Sequence, residues 1–438
     1  MTSPTVPATP ATAAELRERL AEPLVLSDVD LADLDNYTDP VKPWRMFHTL
    51  RHEDPVHWTP EDAPNSGFWA VTRHADIATV DRDPETFTST KFVNLEELDD
   101  DQIKKRASIL EMDGVRHRAL RSVIQRQFGA NVINGYSDFL RGLTAQTLDA
   151  ALPKGTFDFV NEVSADFPIN VLARLLDVPP EDNQQLIDWG NRMVGNTDPD
   201  YADVLLESAE SEKYKDLPFR SPAALEVFEY GRELARQRRG KNGDDIVSKL
   251  VNTTPRDGVP LSPQDFDNYF LLLVVAGNET TRHTMSHAML ALLQHPEQLA
   301  RLKDDPSLIP SAVEEFLRWA SPVYHFRRTA TRDVELGGKN IKEGDKVVMW
   351  FASGNRDEEV FGNPYDFDVA RTNNDHVTFG KGSPHLCLGN LLARTEIRIM
   401  FEELIPRIAD IRLAGDVPRV RSNFVNGIKH LPVEVTLA

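Results

Sequence analysis

A mainly α-helical fold with small β-sheets is predicted by three observations. From Val115 to Val251 apolar residues recur at helical spacing almost without relief. A single candidate helix runs from Ser262-Pro263 to His295-Pro296, long enough at ~1.5 Å per residue to cross a domain. Strand-like runs are confined to stretches near the two ends of the chain.

Residues 1–23, rich in Ala, Thr and Pro, read as a disordered tail or at most a short helix, and residues 24–438 as one domain. Pro43–Leu50 predicts a first helix. Pro55–Trp58 and Gly67–Thr72 predict two strands across the turn-rich EDAPNS. Thr86–Asp113 is irregular and charged, with Phe87 and Phe92 as isolated apolar anchors. The helical stretch after Val115 breaks at Gly129, Pro153–Gly155, Pro179–Pro180, 195–202 and Gly240–Gly243. Ser262 is an N-cap and Pro263 a first-turn proline for the long helix. Strands return at Val334–Leu336, Lys346–Phe351 and Val433–Thr436, and a helix follows over Leu391–Met400. No internal repeat is visible.

The 438 residues suffice to bury a large core, and a formal charge of −20 argues against nucleic acid and anionic membrane surfaces as partners. No apolar run approaches ~18 residues, and the N-terminus lacks a basic-then-apolar pattern, so no membrane anchor is expected. Scarcity of cysteine fits a reducing cytoplasm.

The one cysteine, Cys387, lies in FGKGSPHLCLG. It excludes an intramolecular disulfide and a multi-cysteine cluster. It leaves a buried inert thiol, a nucleophile, or a lone thiolate ligand to a metal held mainly by something else. The neighbours favour the last. Gly380, Gly382 and Gly389 let backbone approach a flat object, and N–H groups opening the next helix stabilise a thiolate and lower its pKa. Thiolate on haem iron is the axial arrangement that favours O–O cleavage.

In the long helix, LLLVVA runs into Gly277-Asn278-Glu279-Thr280-Thr281. The Thr280 hydroxyl can bond back to the Ala276 carbonyl and open the helix locally. Alone, the segment reads equally well as a polar kink used in packing. Glu315 and Arg318, three apart on a helix, would by themselves be an ordinary ion pair of ~0.2–0.5 kcal/mol.

Together these motifs resemble, in kind and order, those of the cytochrome P450 family, from about Leu24 to the C-terminus. The loop between Phe379 and Cys387 is one residue longer than the usual spacing, with Pro384 as the extra. Its Pro-His before the cysteine segment is similar to a bacterial branch that oxidises sterol side chains, methyl-branched lipids and acyclic terpenoids. The resemblance implies the P450 fold, with haem between the long helix and the cysteine loop. It implies Cys387 as the axial ligand of haem b (iron protoporphyrin IX), with Phe379, Gly380, Gly389, Ala276 and Gly277 against the macrocycle. His117, Arg121, Arg328 and His385 would receive the propionates. Glu279 and Thr280 would be the acid–alcohol pair delivering protons to bound dioxygen, with Arg282 and His283 as ordinary polar-face residues. Glu315 and Arg318 would be the buried structural pair. Asp366 stands where a third, arginine partner is common, leaving Arg371 as a candidate.

By the same resemblance, Phe92, Val93, Val275, Val323, Tyr324, Phe326, Phe424 and Val425 would line a site for a hydrophobic small molecule. Arg116, Arg118, Arg126 and Lys381 would dock a small acidic ferredoxin. The chain has no flavin or iron–sulfur segment of its own, so a ferredoxin and an NAD(P)H-dependent reductase would supply electrons for O2 cleavage and C–H hydroxylation. Two alternatives are a peroxide-driven peroxygenase and a non-catalytic haem-thiolate sensor.

Overall fold

The computed structural model describes residues 9–10, 12–22, 24–62 and 65–438. The centre of the EDAPNS turn and most of the first eleven residues lie outside these. Within the expected tail, Ala13–Ala21 is a helix whose N-cap Thr12 accepts a hydrogen bond from the Glu15 N–H. This is the short helix that the composition allowed at most; Leu16 is buried in the main core and Leu20 packs on it, so two leucines on one face suffice to dock it.

Among the described residues ten strands form three sheets. They are β1 (Val56–Thr59), β2 (Phe68–Val71), β3 (Phe87–Thr88), β4 (Thr156–Asp158), β5 (His325–Ala330), β6 (Val334–Leu336), β7 (Lys339–Ile341), β8 (Lys346–Trp350), β9 (Ile408–Leu413) and β10 (Pro432–Leu437). The largest sheet has the order β1-β2-β8-β5-β3, with β2 and β8 parallel and the other pairs antiparallel. Trp58 faces Trp69 across the first hairpin, their rings 5.3 Å apart.

The predicted strands are all present, but β5 carried no strand signature. Its HFRRTA is polar, yet five of its six residues are buried. Arg328 is neutralised by Asp81 at 3.0 Å, and Arg327 donates to the Glu96 carbonyl at 3.0 Å. Partnering removes the penalty that burial of a charge otherwise carries.

The central helix spans Pro263–Gln294, 32 residues, and a reciprocal Ser262–Asp265 capping box opens it. It packs against Asp166–Leu176, Asn183–Val194, Ala223–Arg238 and Ile309–Ala320. The Thr280 hydroxyl donates to the Ala276 carbonyl at 2.9 Å, as expected, but the helix runs on unbroken and no local opening forms. Amphipathicity is weak because most residues after Met285 are buried all round.

Beneath it, Glu315 and Arg318 on Ile309–Ala320 are fully buried and bidentate, at 2.7 and 2.8 Å. Arg371 is the third partner, its Nε 3.1 Å from Glu315; the Asn374 side-chain amide and the Asp368 N–H, each at 3.0 Å, complete the carboxylate's shell. Arg318 also donates to the carbonyls of Asn355 and Pro364 at 3.0 and 2.9 Å. This network ties the helix to the segment that leads into the cysteine loop.

Candidate active site

A cavity of about 250 Å³ lies between the central helix and the cysteine loop. Ala276, Gly277, Thr280 and Thr281 form one wall; Phe379, Gly380, Cys387 and Gly389 form the other. Gly380 and Gly382 adopt φ of +78° and +69°, which a side-chain-bearing residue resists. The loop closes where the Cys387 N–H donates to the Phe379 carbonyl at 2.9 Å. Pro384 is exposed, so the extra residue is taken up on the outer side of the turn. The following helix is Asn390–Leu404.

Cys387 is exposed only partly and faces this cavity. Burial pushes its thiol pKa up; the Gly389 N–H and the Arg121 and Arg394 guanidiniums oppose this without overcoming it. The lowered thiol pKa expected from the helix start is therefore not found. Desolvation outweighs the N–H groups and the two guanidiniums.

Arg121, Arg328 and His385 all line the cavity's edge. Arg121 is half-buried and donates to the Leu386 carbonyl. His385 lies 3.0 Å from Asp113 and 3.2 Å from the Ser89 hydroxyl. The His117 ring stacks 4.2 Å behind that of His385, and its Nδ1 has no partner among the described residues. Burial, then the neighbouring His385 and Arg121, lower the His117 pKa to about 4. Arg328 meets Asp81, which spends part of its charge inside the protein.

These residues fit a flat dianionic group. A side chain added at Gly389 would project into open space, and three cationic or donor side chains converge on one rim. A lone thiol faces a small-residue helix segment across the gap.

Glu279 does not line this cavity. It is buried, 3.3 Å from Arg282 and 3.2 Å from Nε2 of His283. Burial alone would raise its pKa, but Arg282 and His283 hold it below the usual carboxylate value. Arg282 and His283 are thus buried partners of the acid and not surface residues. Thr280 does line the cavity.

Of the expected apolar lining, Val93, Val323 and Phe326 are in place. Phe92 turns away at φ +85° and stacks under Arg106 at 4.9 Å. Val275 points into the helical core. Tyr324 donates to Asn426 at 2.9 Å inside an aromatic cluster with Phe47 and Tyr37. Val425 bridges Val323 from behind, and Phe424 backs Phe326 at 5.8 Å. The sequence reading missed Ile109, Leu110, Pro168, Leu172, Leu175 and Tyr269, which do line it. Periodicity marks such residues as apolar without saying which of them face a void. Glu396 was missed too. It lines the cavity fully buried, one oxygen without a partner among the described residues, and burial raises its pKa well above the carboxylate range.

Arg116 is not free for docking: it pairs with Asp257 at 3.2 Å and Asp265 at 3.0 Å, fastening the start of the central helix. Lys381 pairs with Asp375. Arg118 and Arg126 are exposed and form no ion pair among the described residues.

Comparison with known proteins places this site in a family. The cytochrome P450 family model matches residues 181–408. Methyl-branched lipid omega-hydroxylase of Mycobacterium tuberculosis is 36% identical over 419 residues, covering 93% of this chain and 95% of that protein. Linalool 8-monooxygenase of Pseudomonas putida is 38% identical over 414 residues, covering 92% and 98%. Steroid C26-monooxygenase of Mycolicibacterium smegmatis is 36% identical over 426 residues, covering 94% and 95%. Among solved structures, a Mycobacterium marinum cytochrome P450 in complex with pseudoionone superposes with a TM-score of 0.84 at 36% identity, covering 92% of this chain and 98% of that one. No helix among the described residues is long and apolar enough to cross a membrane. The family match, the thiol-bearing loop with the helix facing it, and similarity over nearly the whole length of several hydroxylases and monooxygenases lead to one conclusion: this chain belongs to the cytochrome P450 family.

Proposed function

We propose that this P450 monooxygenase hydroxylates a largely apolar small molecule of the terpenoid, sterol or branched-lipid type. Its haem would be haem b, its compartment the cytoplasm, and its electrons would come from a ferredoxin and an NAD(P)H-dependent reductase. The balance is R–H + O2 + 2 e⁻ + 2 H⁺ → R–OH + H2O. The observation that carries the reading is the apolar cavity enclosed between Cys387 and the Ala276–Thr281 segment. Relatives named for methyl-branched lipids, steroids and linalool support the substrate class.

Bound haem supplies the iron at which dioxygen is activated. Cys387 would hold its iron through the thiolate, and Arg121, Arg328 and His385, with His117 behind, would hold its propionates. Leu172, Val323 and Phe326 exclude water and orient the substrate by apolar contact. Thr280 presents a hydroxyl to the cavity while its proton is parked on the Ala276 carbonyl. Glu279, kept as a carboxylate by Arg282 and His283, picks up protons; rotation away from that pair would bring it toward Thr280. Arg118 and Arg126 offer uncompensated positive charge to an acidic electron donor.

The test is turnover with NADH, a surrogate ferredoxin and reductase after screening sterols, acyclic terpenoids and branched fatty acids for a low-to-high-spin shift. One alcohol formed per O2 consumed is expected. Binding shifts without reductase-dependent product would refute the reading.

A further inference from the structure

A second, smaller cavity of about 40 Å³ lies away from the active site, under the Ala13–Ala21 helix. Leu16 and Leu20 roof it; His287 and Gln294 of the central helix form one side. Arg356 and Arg419 both reach its wall.

Arg356, buried, and Arg419, half-buried, differ from most buried guanidiniums, although Arg327 likewise meets no carboxylate among the described residues and gives its donors to the Glu96 carbonyl and the Thr329 hydroxyl instead. Arg51, Arg106, Arg318 and Arg328 each meet a carboxylate: Glu358, Glu96, Glu315 and Asp81. Arg356, 3% exposed, has no carboxylate within ion-pair distance among the described residues, and neither has Arg419. The residues outside that set, 1–8, 11, 23, 63 and 64, contain no Asp or Glu that could supply one.

Their donors are also only partly used. Arg356 stacks between Trp44 and Trp319, at 3.7 and 4.9 Å, and gives one N–H to the Trp319 carbonyl at 2.7 Å; its other terminal nitrogen is enclosed and unpartnered. Arg419 leans on the His287 ring at 3.2 Å, and its Nε is enclosed and unpartnered. His287 cannot compensate them, since burial and Arg419 keep it neutral. Burial lowers Arg356 to about 9 and Arg419 to about 10, so both remain charged at neutral pH. Two guanidiniums at the wall of one recess, neither of them ion-paired among the described residues, favour a counter-charge there.

We propose that Arg356 and Arg419 bind a small inorganic anion, chloride in the natural setting, in this cavity. The space exceeds the roughly 10–15 Å³ that one water requires, and suits a halide better than an organic phosphate. A bound anion joins three elements: the Ala13–Ala21 helix, the C-terminal half of the central helix, and the end of the helix carrying Glu315 and Arg318. The site is therefore structural, outside the oxidation chemistry, and does not depend on the substrate reading.

The test uses the haem-loaded enzyme. Crystals grown in bromide should show an anomalous peak in contact with both guanidiniums. Melting in sodium chloride should exceed melting in sodium gluconate of equal ionic strength by several degrees, and Arg419→Gln should abolish that difference. Arg356→Met is the second variant, read only by the anomalous peak if it folds. No bromide peak, or equal melting in the two salts, would overturn the proposal. A peak without a chloride-dependent shift would mark an adventitious ion only, and would overturn it as well.

Discussion

Oε2 of Glu279 lies 3.2 Å from Nε2 of His283, on the side of the central helix away from the cavity that its neighbour Thr280 lines. Acid and alcohol are adjacent in the chain yet face different surroundings, as helical geometry requires of residues i and i+1. A proton path from one to the other thus needs a side-chain rotation or a water.

Glu279→Gln removes the charge that Arg282 and His283 neutralise and the relay group with it. The expected loss in product formation rate is about 10²-fold, the lower range for positioned acid–base groups. A steady-state solvent isotope effect that grows in the variant would locate the defect in proton delivery. An unchanged rate would remove Glu279 from the mechanism.

Thr280→Ala should keep haem and substrate binding, because the lost hydroxyl bonds only the Ala276 carbonyl within the same helix. Electrons should instead appear as hydrogen peroxide. The measurement is peroxide formed per NADH consumed, and undiminished product yield would contradict the assignment.

Cys387→Ser should abolish the red-shifted absorption band of the reduced CO complex that thiolate ligation produces. A retained band would put the ligand elsewhere. In the same assay Arg121→Glu, at the cavity rim, should lower haem retention more than Arg126→Glu, which lies on the exposed surface.

Glu315→Gln should destabilise the fold by about 3–5 kcal/mol, since it leaves the buried Arg318 without its counter-charge. Arg371→Ala should cost less, about 1–3 kcal/mol, because Arg318 and Asn374 still reach the carboxylate. Chemical denaturation separates the two, and an equal cost would show that Arg371 is as central as Arg318.

His325 is fully enclosed, meets Trp350 edge-on at 4.8 Å, and has no partner for either ring nitrogen among the described residues. Burial lowers its pKa to about 3. The unfolded chain, with a histidine near ~6.5, binds the proton first, so stability falls as pH drops from about 6.5 toward 3. His325→Phe should flatten that limb by up to about 1.4 kcal/mol per pH unit. An unchanged slope in urea melts between pH 6 and 4 would refute the assignment.

Cys387 was readable as a candidate because a lone cysteine among glycines has few other uses. Gly277-Asn278-Glu279-Thr280 and Glu315 with Arg318 have ordinary structural readings when taken alone, and became candidates only through the order in which the motifs stand together. The ends of the central helix were readable as well, because Ser262-Pro263 and His295-Pro296 act through local backbone chemistry. Packing decided the remainder. Whether Phe92, Tyr324 or Val425 faces a void depends on φ at one residue or on a hydrogen-bond partner a hundred residues away. The same holds for charge. Arg116, Arg282 and Arg371 look alike along the chain, and only the carboxylates that folding brings to them separate a helix clamp, an acid's partner and a core lock. Local patterns carry short-range energetics; burial and ion pairing are long-range and exist only once the chain has closed on itself.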